Sequence, residues 1–218
     1  MIPRGAFMTE KIAGVAVPDS MLAREATEFI REAEPPLLYD HSRRVYFFGS
    51  LQGKRLGLKP DAELLYVGAM FHDLGLAEGH RSDQRFELDG ADAARRFLAS
   101  RNVPEIDVRK VWEAIALHTT PEVPYRLEPE VALVTAGVET DVLGFGYGEL
   151  AKEDIDAVVA AHPRPDFKNR ILQAFTDGFK DRPDTTFGTM NADVLEHFVP
   201  GFKHTDFVEV IRDSDWPE

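Results

Sequence analysis

Apolar residues recur three and four positions apart along most of the chain, and alternating β-branched runs bounded by tight-turn residues are nearly missing. That pattern predicts an all-α protein. A cap at Pro18-Asp19-Ser20 leads into a helix that puts Met21, Leu22, Ala26, Phe29 and Ile30 on one face and stops before Pro35-Pro36. A second helix is expected over 37–56, with Val45, Phe48 and Leu51 inward, and a third over 62–73, apolar on most sides and ended by Gly75. Residues 78–89 read as polar and irregular. Further helices are expected over 91–100 after Asp89-Gly90, over 105–118 behind Pro104, and over 130–143 behind Pro129. Residues 144–148 read as a glycine loop able to act as a lid, followed by helices over 153–161 and 166–180 and a short aromatic tail over 192–198 and 207–211. One domain over 1–218 is expected, its core in 37–144 and the helical tail 145–218 packed outside.

Composition narrows the chemistry. The 218 residues carry 25 Lys and Arg against 38 Asp and Glu, a formal charge of −13, which repels polyphosphate and argues against nucleic acid as a partner. Cysteine is absent, so disulfides, thiolate nucleophiles and cysteine-ligated metals are excluded, and any metal must be held by His, Asp or Glu. The longest apolar run, 64–71, is far short of the roughly 20 residues of a membrane span, so no membrane partner is expected. Residues 1–16 have no continuous apolar stretch of the secretory kind, and no Asn-x-Ser/Thr sequon occurs, so a cytoplasmic location is expected.

His41, the pair His72-Asp73, and Asp141 each sit at or near an expected helix end or bend, separated by 31 and 68 residues, so only the fold can bring them together. Imidazole nitrogen with carboxylate oxygen makes a mixed site suited to zinc, iron, manganese, cobalt or nickel. Asp73 directly follows an apolar run, and an unpaired buried charge costs several kcal/mol unless a partner such as a metal is present. The dipeptide also fits a hydrogen-bonded core histidine beside a helix-end aspartate, and the residues alone leave both readings open.

The segments Tyr39-Asp40-His41-Ser42-Arg43-Arg44-Val45-Tyr46, Phe71-His72-Asp73-Leu74-Gly75 and Thr140-Asp141-Val142-Leu143-Gly144 together resemble the H…HD…D pattern of the HD-domain superfamily of metal-dependent hydrolases. Within it the chain is most similar to the cyanamide hydratase group, through His-Ser-x-Arg-Val-Tyr, Arg85-Phe86-Glu87 with Asp89-Gly90-Ala91, and Ala116-Leu117-His118-Thr119-Thr120. The likeness spans about 37–144. It implies a five-helix core with additional N- and C-terminal helices, and His41, His72, Asp73 and Asp141 as ligands of a divalent ion, zinc or iron first. His80 and His118 lie where two-metal members bind a second ion, with Asp73 bridging; otherwise they serve proton transfer. Asp40 stands where the hydratase group usually has Asn. Of Arg43 and Arg44, one is expected to turn inward, and the resemblance favours Arg44.

A divalent ion lowers the pKa of a bound water from 15.7 to about 7 and so supplies a nucleophile at neutral pH. The expected catalytic residues are Asp73 to take up a proton, His118 or His80 to give one, and Arg44 near the developing charge, with hydration of a small nitrile or cyanamide as the preferred reaction. Phosphate-ester hydrolysis is one alternative, with Arg43, Arg44, Arg81 and Arg85 as phosphate partners, and a metal- or ligand-binding regulatory module without turnover is another. His162, His197 and His204 read as surface or packing histidines. Phe198, Phe202, Phe207 and Trp216 either cap their own core or pack between the copies of a homo-oligomer.

Overall fold

Helix α1 (Met21–Ala33) opens where the sequence pattern places its cap: the Ser20 hydroxyl accepts the Ala23 N–H at 3.0 Å. The structure is a computed structural model describing residues 10–216, and the secretory-leader reading of 1–16 lies in part outside the described residues. Ahead of α1, β1 (Lys11–Ile12) and β2 (Val15–Ala16) pair antiparallel about Ala13-Gly14, whose φ values of 50° and 69° suit a tight hairpin. The expected purely helical pattern missed this element because two-residue strands are too short to show alternation.

Helix α2 (Pro36–Leu56) runs through the centre and buries every residue from His41 to Gly49. Helix α3 (Ala62–Phe71), capped by the Asp61 carboxylate on the Glu63 and Leu64 N–H groups, is buried on nearly all sides. It stops at Phe71, leaving His72 at its C-cap and Asp73 beyond. Short 3-10 turns at Leu74–Leu76 and Glu78–His80 follow. Helix α4 spans Phe86–Ala99, starting before the expected 91 because Asp89-Gly90 lies inside its first turns; there a Cβ on Gly90 would press on the Phe71 and His72 carbonyls. Helix α5 (Glu105–Ala116) and α6 (Pro129–Val138) complete the central bundle.

Helices α2 and α6 touch through their backbones at Gly49 and Gly137, where any Cβ would collide with the Leu133 and Val45 carbonyls. That approach carries the end of α6 to the face of α2 that bears His41 and Arg44. There the chain widens into a π-helical turn, Glu139–Leu143, closed by Gly144 at φ 76°.

The rest of the chain forms α7 (Lys152–Ala161), α8 (Phe167–Phe179), α9 (Asn191–Phe198) and α10 (Phe207–Arg212). Ile155 and Val158 of α7 join the main apolar cluster of α1 to α6, so packing continues past residue 144. A second cluster, Leu38, Leu76, Phe86, Phe167, Ile171, Phe179 and Leu195, fastens α8 and α9 to α2 and α4. Arg182 ties this part down, donating to the Gly75, Ser82 and Gln84 carbonyls and pairing with Asp89. Phe202 packs on the second cluster, whereas Phe198, Phe207 and Trp216 are exposed. Among the described residues no helix is long and apolar enough to cross a membrane.

Candidate metal centre

Three buried histidines are each fixed through Nδ1. His41 donates to Asp141 Oδ2 at 2.7 Å, His72 to the Ala69 carbonyl at 2.8 Å, and His118, just past α5, to the Ile115 carbonyl at 2.6 Å. Carbonyl and carboxylate oxygens only accept, so in each neutral ring the hydrogen sits on Nδ1 and Nε2 presents a bare lone pair. Those lone pairs converge. His41 and His72 Nε2 are 3.1 Å apart, Asp73 Oδ2 is 3.5 Å from the first and 3.4 Å from the second, and Asp73 Oδ1 is 3.6 Å from His118 Nε2.

Acceptors facing one another repel unless a cation lies among them, and Asp73 Oδ2 is buried with no hydrogen-bond partner. His41, His72 and Asp73 offer ligand atoms within 4.8 Å of one another. The donor set is nitrogen and oxygen without sulfur, and the Nδ1 anchors are those that orient metal-binding imidazoles. These residues suit a divalent metal ion.

The electrostatics agree. Burial works to raise the Asp73 carboxyl, but positive charge at His72, His118 and His41 outweighs it and holds the group well below the usual carboxylate range, the direction in which a bound cation would also act. Burial pushes His41 down, only partly opposed by Asp141 and reinforced by His72, so the ring is neutral and free to coordinate near pH 7. Asp141 is also buried, yet His41 and Arg44 keep it far below its ordinary value.

The structure brings together His41, His72, Asp73 and His118, but it does not bring Asp141 among the converging atoms. The π-helical turn sets Asp141 behind His41, where Arg44 grips it with two 2.9 Å bonds and Arg164 Nε lies 3.0 Å away. The 3-10 turns carry His80 to the α1 and α4 side, edge-on to Phe29 at 5.7 Å and near Arg96. Arg44 acts as a brace: Asp141, the His162 and Pro163 carbonyls and the Phe167 ring surround its guanidinium. Nor does only one of the arginine pair turn inward. Both are buried, Arg43 on another side of α2 with Tyr66 and Glu10.

Asp40, beside His41, points to His162 Nδ1 at 3.1 Å, and His162 stacks on Phe47, a packing role as expected. The glycine loop is not a cover for this centre. Gly146 is held by Gln52, three turns of α2 or about 16 Å from His41. The cover is Phe167 of α8, 5.4 Å from the His41 ring, with Phe86 5.6 Å from His118. Sequence reasoning missed Phe167, which looks like any core aromatic.

Residues 38–161 match the family model described as HD domain, a stretch running from α2 through α7. The chain therefore belongs to the HD-domain family, within a superfamily of metal-dependent hydrolases. A search of curated proteins found no match.

Proposed function

We propose that the chain is a metal-dependent enzyme that adds water to a small uncharged molecule of the nitrile or cyanamide type, using one zinc or iron ion. One observation carries the reading: around three converging imidazole lone pairs and the orphaned Asp73 Oδ2, the four arginines that a phosphate substrate would need are each held by another partner. Arg44 holds Asp141, Arg43 holds Glu10, Arg85 holds Glu87, and Arg81 holds the Leu76 carbonyl. A transferring phosphoryl group needs positive donors around its oxygens. A small uncharged electrophile does not, and the aromatic walls of Phe86 and Phe167 suit it.

In this reading His41, His72 and Asp73 hold the ion, whose contribution is Lewis acidity that makes water nucleophilic near neutral pH. Asp141, braced by Arg44, keeps the His41 hydrogen on Nδ1. His118 Nε2, fixed by its Nδ1 bond to Ile115, takes up or returns a proton beside Asp73 Oδ1. Phe167 and Phe86 exclude bulk water, which strengthens each of these interactions.

The test is to load the purified chain with zinc or iron(II), verify stoichiometry by elemental analysis, and assay urea release from cyanamide and amide release from small nitriles. Phosphate release from p-nitrophenyl phosphate runs alongside. Urea or amide formation supports the reading. Phosphate release alone replaces it with a phosphohydrolase, and a fully loaded but inert protein replaces it with a binding module.

A further inference from the structure

His41, His72, Asp73 and His118 are each 3% exposed or less, so a molecule reaches the converging donors only when a covering side chain moves. The two covering rings are held very differently. Phe86, 5.6 Å from the His118 ring, packs against Phe175 and Phe179 at 6.1 Å each, and its carbonyl lies so close to Gly75 that a Cβ there would stand 2.0 Å from it. That ring is locked in place. Phe167, 5.4 Å from the His41 ring, is the one buried residue in the stretch 163–170: Pro163, Pro165, Asp166, Lys168, Asn169 and Arg170 are exposed, and Arg164 is half-buried. On this side a single side chain stands between the surface and the donors.

The local sequence explains how one residue turns inward from an exposed strip. Pro163 and Pro165 stiffen the approach, and Asp166 takes a left-handed φ of 50°, which aims the first residue of α8 at the bundle. Charge then sets where the ring rests. The guanidinium carbons of Arg44 and Arg164 lie 4.7 and 4.5 Å from its centre, and both arginines also hold Asp141, the carboxylate that orients His41. Swinging Phe167 aside breaks no hydrogen bond, because a phenyl ring has none to lose. Moving Arg44 or Asp141 would break several.

We propose that Phe167 is the specificity-determining residue of this centre: substrate enters where its ring swings aside, and the room that one ring yields rejects bulky molecules. The inference rests on the hydratase reading above and narrows its substrates to slender molecules without a large substituent next to the electrophilic carbon. Phe86, wedged between other rings and the Gly75 backbone, is a fixed wall.

The experiment uses the full chain loaded with cobalt(II), whose visible absorption reports ligands arriving at the ion, mixed rapidly with imidazole or with the bulkier 4-phenylimidazole. In the wild type 4-phenylimidazole is expected to arrive at least about tenfold more slowly, the discrimination a packed apolar site exerts against an added group. Phe167→Ala should speed 4-phenylimidazole selectively and bring the two rates together. Phe167→Leu, which still fills the core, should fall between, and it decides the matter if Phe167→Ala loses helix content by circular dichroism. Phe175→Ala, about two turns further along α8, should leave the ratio as in the wild type, and cobalt content should be unchanged throughout. Equal rates in the wild type, a ratio unmoved by the Phe167 variants, or a spectrum indifferent to both probes overturns the assignment. So does a ratio lost equally in Phe175→Ala, which would assign the opening to α8 as a whole, or cobalt lost from both Phe167 variants, which would make the ring a support of the ion. A ratio that responds to Phe167 without urea release from cyanamide sinks the hydratase reading and leaves the role of Phe167 standing; urea release with an unmoved ratio does the reverse.

Discussion

The protein contains two triads of nearly the same composition. His41, His72 and Asp73 meet in the interior, while Asp193, Glu196 and His204 meet on the surface of the tail, and in each the ligand atoms lie within 4.8 Å of one another. Their surroundings differ. In the interior, each imidazole is locked through Nδ1 and the Asp73 carboxylate has an oxygen that water cannot reach, so a cation removes a repulsion and satisfies an orphan. On the surface all three side chains are hydrated and free to rotate, so an ion would have to displace water and immobilise them. Proximity of donors is common; dehydrated donors held in one orientation are what make a metal site.

The largest effect that can break this contrast is a matched pair of substitutions. Asp73→Asn is expected to abolish stoichiometric metal after dialysis, while Asp193→Asn leaves it unchanged, both read by elemental analysis with helix content followed by circular dichroism. Full metal in Asp73→Asn would leave the two triads equivalent.

A smaller change should come from the brace. Arg44→Lys replaces a two-toothed grip on Asp141 by a point charge and loosens the acceptor of His41 Nδ1, and loss of such an outer partner typically weakens metal binding about 10–100-fold. Competition against a chelator of known affinity measures it, and an unaltered affinity would detach Asp141 from the site.

The smallest effect concerns pH. Burial pushes His162 below its ordinary value near 6.5, with Asp40 opposing and Arg43 assisting. Between that lowered value and 6.5 the unfolded chain carries a proton the folded chain does not, so stability is complete above 6.5 and falls as pH drops through the window. In metal-free protein, Tm should therefore decline on acidification from about pH 7.5, and His162→Phe, which keeps a ring on Phe47, should make the decline shallower. An identical slope in the variant would assign the titration to other groups.

Much of the fold was legible because helix ends carry local chemistry. Ser20, Pro104 and Pro129 announce starts that the structure reproduces, since a cap or a proline acts within three or four residues. The Asp89-Gly90 pair misled, because a glycine demanded by a close backbone contact is indistinguishable in sequence from one demanded by a turn. The likeness to the HD pattern singled out His41, His72, Asp73 and Asp141, but not which of their atoms meet.

The amino-acid order alone thus determined an α-helical bundle without sulfur chemistry and the short roster of imidazoles and carboxylates able to hold an ion. Tertiary packing decided the rest: Asp141 behind His41, His80 edge-on to Phe29, Arg43 and Arg44 both interior, and Phe167 as cover. The reason is range. Periodicity tells which face of a helix turns inward, whereas meetings between residues a hundred positions apart depend on how closely two backbones approach, here at Gly49 and Gly137.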